Sequence, residues 1–231
     1  MEPQQQRIAD DLSGALAGEL RFDRVSRALY ATDASIYQQL PLGVAFPRHS
    51  EDVVLLAKYA EETRLPLIPR GAGTGLAGSA LGTGLVVDFS RHMTQIEDVG
   101  DATVRVQPGV VRAVLNQHLR ERGRYFPPDP ANSDVTTVGG MIGVDAAGSH
   151  ACRVGSTRDH VASLELVLIG GARLTGADEP LPSGTPLSSD NIASGDIQRL
   201  RVISRLAHLL RVHRELIHQK QPHLIRNCAG Y

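Results

Sequence analysis

Apolar residues recur at helical spacing at the start of the chain, where Ile8, Leu12, Leu16 and Leu20 would share one face of an amphipathic helix. Val44 to Pro47 is short, apolar and closed by proline, as a strand end would be. Ser50, followed by Glu51 and Asp52, predicts an N-cap with acids in the first turn of a helix running to about Arg64. Leu65 to Pro69 and Leu85 to Asp88 predict two further strands on either side of a glycine-rich stretch. A β-α-β-loop-β opening implies an α/β lobe with parallel strands. Near Ile96 the pattern changes. Ile96 to Val99 and Thr103 to Gln107 predict two strands about a turn at Gly100 and Asp101, and a lobe boundary falls there. Val111, Val114, Leu115 and Leu119 mark a helix ended by Gly123, and Leu164 to Ile169 predicts a strand that turns at Gly170 and Gly171. Gly176 to Ser194 lacks periodicity and reads as a surface loop, while Ile197, Leu200, Ile203, Leu206, Leu210, Leu216 and Ile217 predict one long amphipathic helix.

The expected division is therefore residues 1–95 as an N-terminal lobe and 96–231 as a second lobe. With 231 residues, 42% hydrophobic and 21% charged, the chain has the composition of a folded globular protein. A formal net charge of −1 provides no global field toward nucleic acid or an anionic bilayer. No apolar stretch approaches the roughly 20 residues that cross a membrane, and the polar start is unlike a leader, so a cytoplasmic location is expected. Cys152 and Cys228 form no C-x-x-C pair, which leaves neither a metal knuckle nor a disulfide framework. The last helix carries Arg199, Arg201, Arg205, Arg211, Arg214 and Lys220 against Asp196 and Glu215. That excess suits either a solvated face or docking against an acidic segment.

The segment richest in chemistry is Pro69, Arg70, Gly71, Ala72, Gly73, Thr74, Gly75, Leu76, Ala77 and Gly78, directly after a predicted strand. Alternating glycines let the backbone take positive φ, so that successive N–H groups can face one concavity and hold phosphate oxygens. Gly73, Gly75 and Gly78 satisfy G-x-G-x-x-G, but only six residues separate Gly78 from Leu85. A crossover helix needs about ten or more residues, so a Rossmann fold is rejected. A nucleoside triphosphate P-loop is rejected too, because Ser79 stands where that motif needs lysine.

A second constellation follows. Phe126, Pro127, Pro128, Asp129 and Pro130 form a stiff turn. After it come Thr136, Thr137, Val138, Gly139, Gly140, Met141, Ile142 and Gly143, then Asp145, Ala146, Ala147 and Gly148, then Gly155, Ser156, Thr157, Arg158, Asp159 and His160. So many small residues suggest a flat, bulky ligand lying on backbone.

The motifs RGAGTGLAG, VQPGV at Val106 to Val110, FPPDP, TVGGMIG and GSTRDHV stand in the order found in the FAD-linked oxidases of the PCMH (vanillyl-alcohol oxidase) fold. Over about Val44 to Leu174 the chain resembles their D-lactate, glycolate and 2-hydroxyglutarate dehydrogenase branch, some members of which are fused to iron–sulfur modules. The resemblance implies an α+β (α/β) fold: a PCMH-type two-lobe FAD-binding domain with a small parallel-strand lobe and a larger mixed and antiparallel lobe with helices, C-terminally truncated. It implies that Pro69 to Leu76, with Arg70 to Thr74 as the phosphate nest, hold the FAD pyrophosphate. Pro108 and Gly109, Pro128 and Asp129 at the border of the ring, Thr136 and Thr137 as donors, and Gly139, Gly140, Gly143, Asp145 and Gly148 would line the rest. Thr74 occupies the place where some relatives carry a flavin-linked histidine, so noncovalent FAD is expected. The chain departs from the branch at Asp145, usually asparagine, and at Val154, often tyrosine. A carboxylate at 145 would disfavour an anionic reduced flavin and lower its potential.

In this family the substrate binds in a separate cap domain, and neither that domain nor the later glycine-containing strand that closes the FAD pocket is found in the sequence. The implied activity is oxidation of a D-2-hydroxy acid by hydride transfer to flavin N5, with the cap, and an iron–sulfur module or subunit, as partners. The alternative is a catalytically incomplete subunit or fragment that binds FAD or only keeps the fold. Of the nine histidines, His208, His213 and His218 are spaced by five and do not form a metal pair. His150 and His160 flank the flavin motif without a catalytic assignment.

Overall fold

The structure, a computed structural model, describes residues 1–98, 100–177 and 194–221. By their contacts the described residues form two compact units, one of 1–161 with 169–171 and one of 162–168 with 172–177 and 194–221. The boundary expected near residue 96 lies inside the first unit, and the residues expected to form a second lobe are shared between the two.

The first unit opens with α1 (Pro3–Leu12), β1 (Glu19–Arg21), α2 (Arg24–Leu29), β2 (Gly43–Phe46), α3 (Ser50–Thr63), β3 (Leu67–Arg70) and β4 (Leu85–Asp88). These strands form one sheet in the order β1-β2-β4-β3, in which β2, β4 and β3 are parallel and β1 is antiparallel to β2. Alternation along the strands divides its core into two faces. Ala45, Leu85 and Val87 pack with Ile8, Leu12, Leu56 and Ala60 of α1 and α3, whereas Val44, Phe46, Ile68 and Val86 pack with Tyr30 on the other side. Val44, Leu85 and Val86 are completely buried. Residues 71–84, without a helix, connect the parallel neighbours β3 and β4. That is the feature on which a Rossmann unit was rejected.

Two sequence expectations need correcting here. The first helix stops at Leu12, because Gly14 turns the chain at φ 73°, and Leu20 reaches the same core from β1 rather than from a helix face. Ser50 is the first residue of α3 rather than its cap. No side chain caps the helix; the buried Asp52 carboxylate instead ties the preceding chain to its start, accepting the N–H of Arg48 at 2.8 Å and of Ala17 at 2.9 Å. A charged acceptor two residues into the helix also suits the positive end of its dipole.

A second core in the same unit surrounds α4 (Arg112–Arg120). Val110, Leu115 and Val138 form it, with Ile96, Val104 and Val106 of the antiparallel pair β5 (Ile96–Asp98) and β6 (Val104–Val106) packed against them. Short helices α5 (Val138–Gly143) and α6 (Ala151–Val154) and a 3-10 turn (Thr157–His160) complete this unit. Val99, at the end of the first of these two expected strands, lies outside the described residues.

The second unit is a hairpin of β7 (Ser163–Val167) and β8 (Arg173–Ala177), with α7 (Ser194–Val212) packed on β8, and α8 (Arg214–Lys220) following. The predicted long helix is thus divided at His213. The expected loop from 176 to 194 and the segment Asn227 to Tyr231 fall almost wholly outside the described residues. No helix among the described residues is long and apolar enough to cross a membrane.

Candidate cofactor site

The glycine loop after β3 is folded by its own arginine. Arg70 lays its guanidinium over the Tyr30 ring, 5.1 Å from the centroid, and donates to the Thr32 carbonyl at 2.9 Å and the Ala80 carbonyl at 3.4 Å. Gly73, at φ 68°, folds back against this guanidinium, where a Cβ would collide with it. The Gly73 carbonyl accepts the N–H of Ala34 at 3.0 Å. Arg70 therefore spends two of its five N–H donors on the carbonyls of Thr32 and Ala80, and so holds the loop in shape. Tyr30 is fixed in turn by donating its hydroxyl to Asp88, the last residue of β4. Burial, and then the bond to Asp88, push the phenol well above its usual range.

The loop is left with unused donors. Among the described residues no protein acceptor takes the main-chain N–H of any residue from Gly71 to Ala77. Ala72, Leu76 and Ala77 are exposed to water, whereas Gly71, Gly73, Thr74 and Gly75 are half-buried, where an N–H group needs a partner. A run of seven, with Gly73 at positive φ in its middle, is the arrangement that gathers anionic oxygens.

The second constellation lies directly against this loop. Gly71 packs so closely on Thr137 that a Cβ would overlap its hydroxyl, and the hydroxyls of Thr74 and Thr136 are 3.4 Å apart. Thr136 and Thr137 are held from behind: Arg112 N–H donates to Thr136 O at 2.9 Å, and Val138 N–H to Val110 O at 2.8 Å. Thr137 then caps α5 by accepting the N–H of Gly140 at 3.3 Å. Gly139 stacks on Pro108 and donates to its carbonyl at 2.9 Å. Gly109 presses on the Phe89 carbonyl and donates to Met93 O at 2.8 Å. The space that a side chain would need at Gly71, Gly73, Gly109 and Gly139 is therefore filled by protein. At these four positions glycine brings chain onto chain, which corrects the expectation that ligand alone accounts for the small residues. Gly75 and Gly140 have looser surroundings, and Gly143 closes α5.

The proline turn is anchored by residues that sequence reasoning missed. Arg112 donates to the carbonyls of Pro128 and Phe126, and Asn116 both donates to Phe126 O at 3.2 Å and accepts Phe126 N–H at 2.6 Å. Both project from α4, four positions apart, and that spacing of polar residues on a helix face was their only sequence signal. Asp129 accepts the imidazole N–H of His150, the Ser149 hydroxyl at 2.9 Å and the His150 backbone N–H at 3.2 Å. The ring bond first, then the backbone bond, hold its carboxyl down at about 2. Gly148, at φ 132°, lies against Asp129.

Asp145 changes its meaning in the structure. It adopts φ 47°, a left-handed conformation that asparagine and aspartate tolerate best, and its carboxylate is buried. Burial raises its pKa. The N–H of Arg158 at 3.0 Å, the Ser156 hydroxyl at 3.0 Å and the Arg158 guanidinium at 2.6 Å outweigh that and bring it below the ordinary value. The carboxylate's charge is thus compensated within the chain by the Arg158 guanidinium. Pro69 lies on β3 and Leu76 is exposed. The other missed element is the strip from Tyr30 to Tyr37, which has no element of its own and lies under the glycine loop, with Tyr37 against Gly78. Asp33 and Ser35, bonded at 2.8 Å in a short polar turn, were its sequence signal.

Comparison with known proteins gives the same answer from outside. A family model described as FAD binding domain matches residues 41–176. The D-2-hydroxyglutarate dehydrogenases of Pantoea ananatis and Escherichia coli are 39% and 38% identical over 219 residues, covering 93% of this chain and 21% of theirs. The glycolate oxidase subunit GlcD of Bacillus subtilis is 34% identical over 194 residues, covering 81% of this chain and 39% of its own. The chain thus spans about a fifth of the length of the dehydrogenases it matches. Among solved structures, an alkyldihydroxyacetonephosphate synthase superposes with a TM-score of 0.65 at 19% identity, over 85% of this chain and 37% of that one. The 6-hydroxy-D-nicotine oxidase of Arthrobacter nicotinovorans gives 0.62 at 22%, over 71% and 36%. These two likenesses speak to fold alone.

Proposed function

Because the chain belongs to the FAD binding domain family, with the fold of the PCMH-type FAD-linked oxidases, we propose that it is the FAD-holding part of a D-2-hydroxy acid oxidoreductase. The observation that carries this reading is the unspent run of N–H groups from Gly71 to Ala77, set against Thr136 and Thr137. Those donors suit a diphosphate, and in this assignment Gly71 to Gly75 hold its oxygens through main chain while Arg70 holds the loop in shape. Thr74 presents its hydroxyl at the join of the two stretches, beside the buried Thr136, whose own hydroxyl donates to the Asn132 carbonyl at 2.9 Å, and the buried Thr137. Pro108, Gly109, Gly139, Gly140 and Gly143 set how near the chain comes to the cofactor, and Pro128, Asp129, Asp145 and Gly148 form the border of the ring.

Bound there, FAD supplies a hydride acceptor, N5, for the α-carbon of a 2-hydroxy acid. Thr74 forms no flavin linkage, so the cofactor is held noncovalently. The relatives' names support D-2-hydroxyglutarate, glycolate or D-lactate as the substrate class. We assign substrate binding to a cap domain, which the greater length of those relatives leaves room for. We place the protein in the cytoplasm, with an iron–sulfur module or subunit as its electron outlet. We hold as a second reading an FAD-binding subunit without turnover of its own.

Anaerobic absorbance spectroscopy tests the reading. The purified chain is expected to retain one FAD and to keep it oxidised with D-2-hydroxyglutarate or D-lactate, bleaching only when a cap-bearing segment of a relative is added. Failure to take up FAD overturns the assignment, and bound FAD that never bleaches selects the second reading.

A further inference from the structure

Helix α7 has two apolar faces, and the hairpin uses one of them. Ala207 is 1% exposed, and Leu200 and Ile203, half-buried on the same side, accompany it toward β8. The Arg199 guanidinium ties that side down by donating to the Thr175 carbonyl at 3.1 Å. Roughly half a turn away stand Val202, Leu206 and Leu209, at steps of four and three, followed by Leu216 one heptad later. Their exposures are 40%, 53%, 54% and 51%. The stripe continues across the break between α7 and α8, because His213 N–H still donates to Leu209 O at 3.0 Å and His213 O still accepts Ile217 N–H at 2.8 Å.

The surroundings of this stripe are cationic. Arg201 and Arg205 border it, Arg211 and Arg214 lie farther round, and Lys220 stands at its end, all exposed. None of these five has an ion-pair partner among the described residues. Glu215 is the only acid on α7 or α8 whose side chain is described.

We propose that this stripe docks an amphipathic helix of a partner polypeptide with a leucine-type seam and an acidic rim. Spacing at four and three suits a helix seam, since each exposed side chain can enter a hole formed by four residues of a facing helix. Charge decides between partners. A second copy would bring arginines against arginines, which is costly at an interface, whereas glutamates on the partner would pair with Arg201 and Arg205. A bilayer is the poorer fit, because His213 falls within the apolar surface and that surface has none of the tryptophan or phenylalanine that anchors interfacial helices.

Four titrations of the full chain decide the matter. The first probe is a synthetic four-heptad peptide with leucine seam residues and glutamate at the flanking positions. The others are its lysine counterpart, vesicles of phosphatidylglycerol and phosphatidylcholine, and the chain itself at rising concentration in sedimentation. The acidic peptide is expected to bind, and to weaken about tenfold between about 50 mM and about 500 mM salt. Leu206→Ser with Leu209→Ser is expected to abolish binding without moving the melting temperature appreciably, both positions being exposed. Arg201→Gln with Arg205→Gln is expected to remove most of the salt dependence, and His208→Gln to change neither. No binding of the acidic peptide, or equal binding of the lysine peptide, overturns the proposal. So does vesicle binding or self-association that Leu206→Ser and Leu209→Ser abolish while leaving the peptide unaffected.

Discussion

The parallel strands β2 and β4 and the loops beside them are built on opposite principles. Val44, Leu85 and Val86 are sealed from water, their main-chain groups paired in the sheet, and the strands are complete without any ligand. From Gly71 to Ala77 the chain is partly exposed, and its N–H groups have no protein acceptor. The same unit therefore contains a finished scaffold and an unfinished surface, and the unfinished part is where a partner adds most binding energy. Close packing of Gly71 on Thr137 and Gly139 on Pro108 transmits the scaffold's rigidity to that surface.

The contrast breaks most severely in the sheet. Val86→Asp places an unpaired charge in a fully buried position and is expected to cost more than about 4 kcal/mol, enough to abolish a cooperative thermal transition followed by circular dichroism. Ala72→Asp acts on the other side. Position 72 is exposed, so the melt of the apoprotein should move by less than about 0.5 kcal/mol. Its carboxylate competes for the loop N–H groups, and FAD affinity measured by flavin fluorescence is expected to fall at least about a hundredfold, or roughly 2.7 kcal/mol. Asp145→Asn keeps a residue suited to φ 47° but loses the pairing to Arg158, with an expected cost of about 1 kcal/mol in denaturant unfolding.

The smallest expected effect is the pH response of Asp129. Its carboxyl is held at about 2 in the folded chain, below the value of 3.8 for an unperturbed group. The stabilisation is therefore complete above about pH 4 and is lost as the pH falls through about 2. Comparison of melting temperatures across that window, with Asp129→Asn flattening the slope, measures the contribution of the clasp to His150 and Ser149.

The sequence was most readable where hydrophobicity does the work. Val44 to Phe46 and Leu85 to Asp88 are strands for the reason their composition suggests, and the six residues between Gly78 and Leu85 were too few for a crossover helix. Capping was less legible. Ser50 has the residue type of a cap but is the first helical residue, and Asp52 ties Arg48 and Ala17 to the helix start, a role that only the placement of Ala17 beside it reveals. The glycines show the limit most clearly: a missing side chain is visible in the sequence, but what fills its space is not. At Gly71 and Gly139 it is protein, while the donors around Gly73 remain unspent. The strip from Tyr30 to Tyr37 went unread because it has no periodicity, although Tyr30, Thr32 and Ala34 hold the glycine loop.

Isothermal titration of the apoprotein with FAD, ADP and riboflavin addresses the diphosphate nest most directly. Main-chain donors at residues 71–77 predict that FAD binds one to one, that ADP competes with it, that riboflavin without a diphosphate binds far more weakly, and that Ala72→Asp eliminates the ADP signal. Riboflavin binding as tightly as FAD, or ADP binding unchanged in Ala72→Asp, would contradict it.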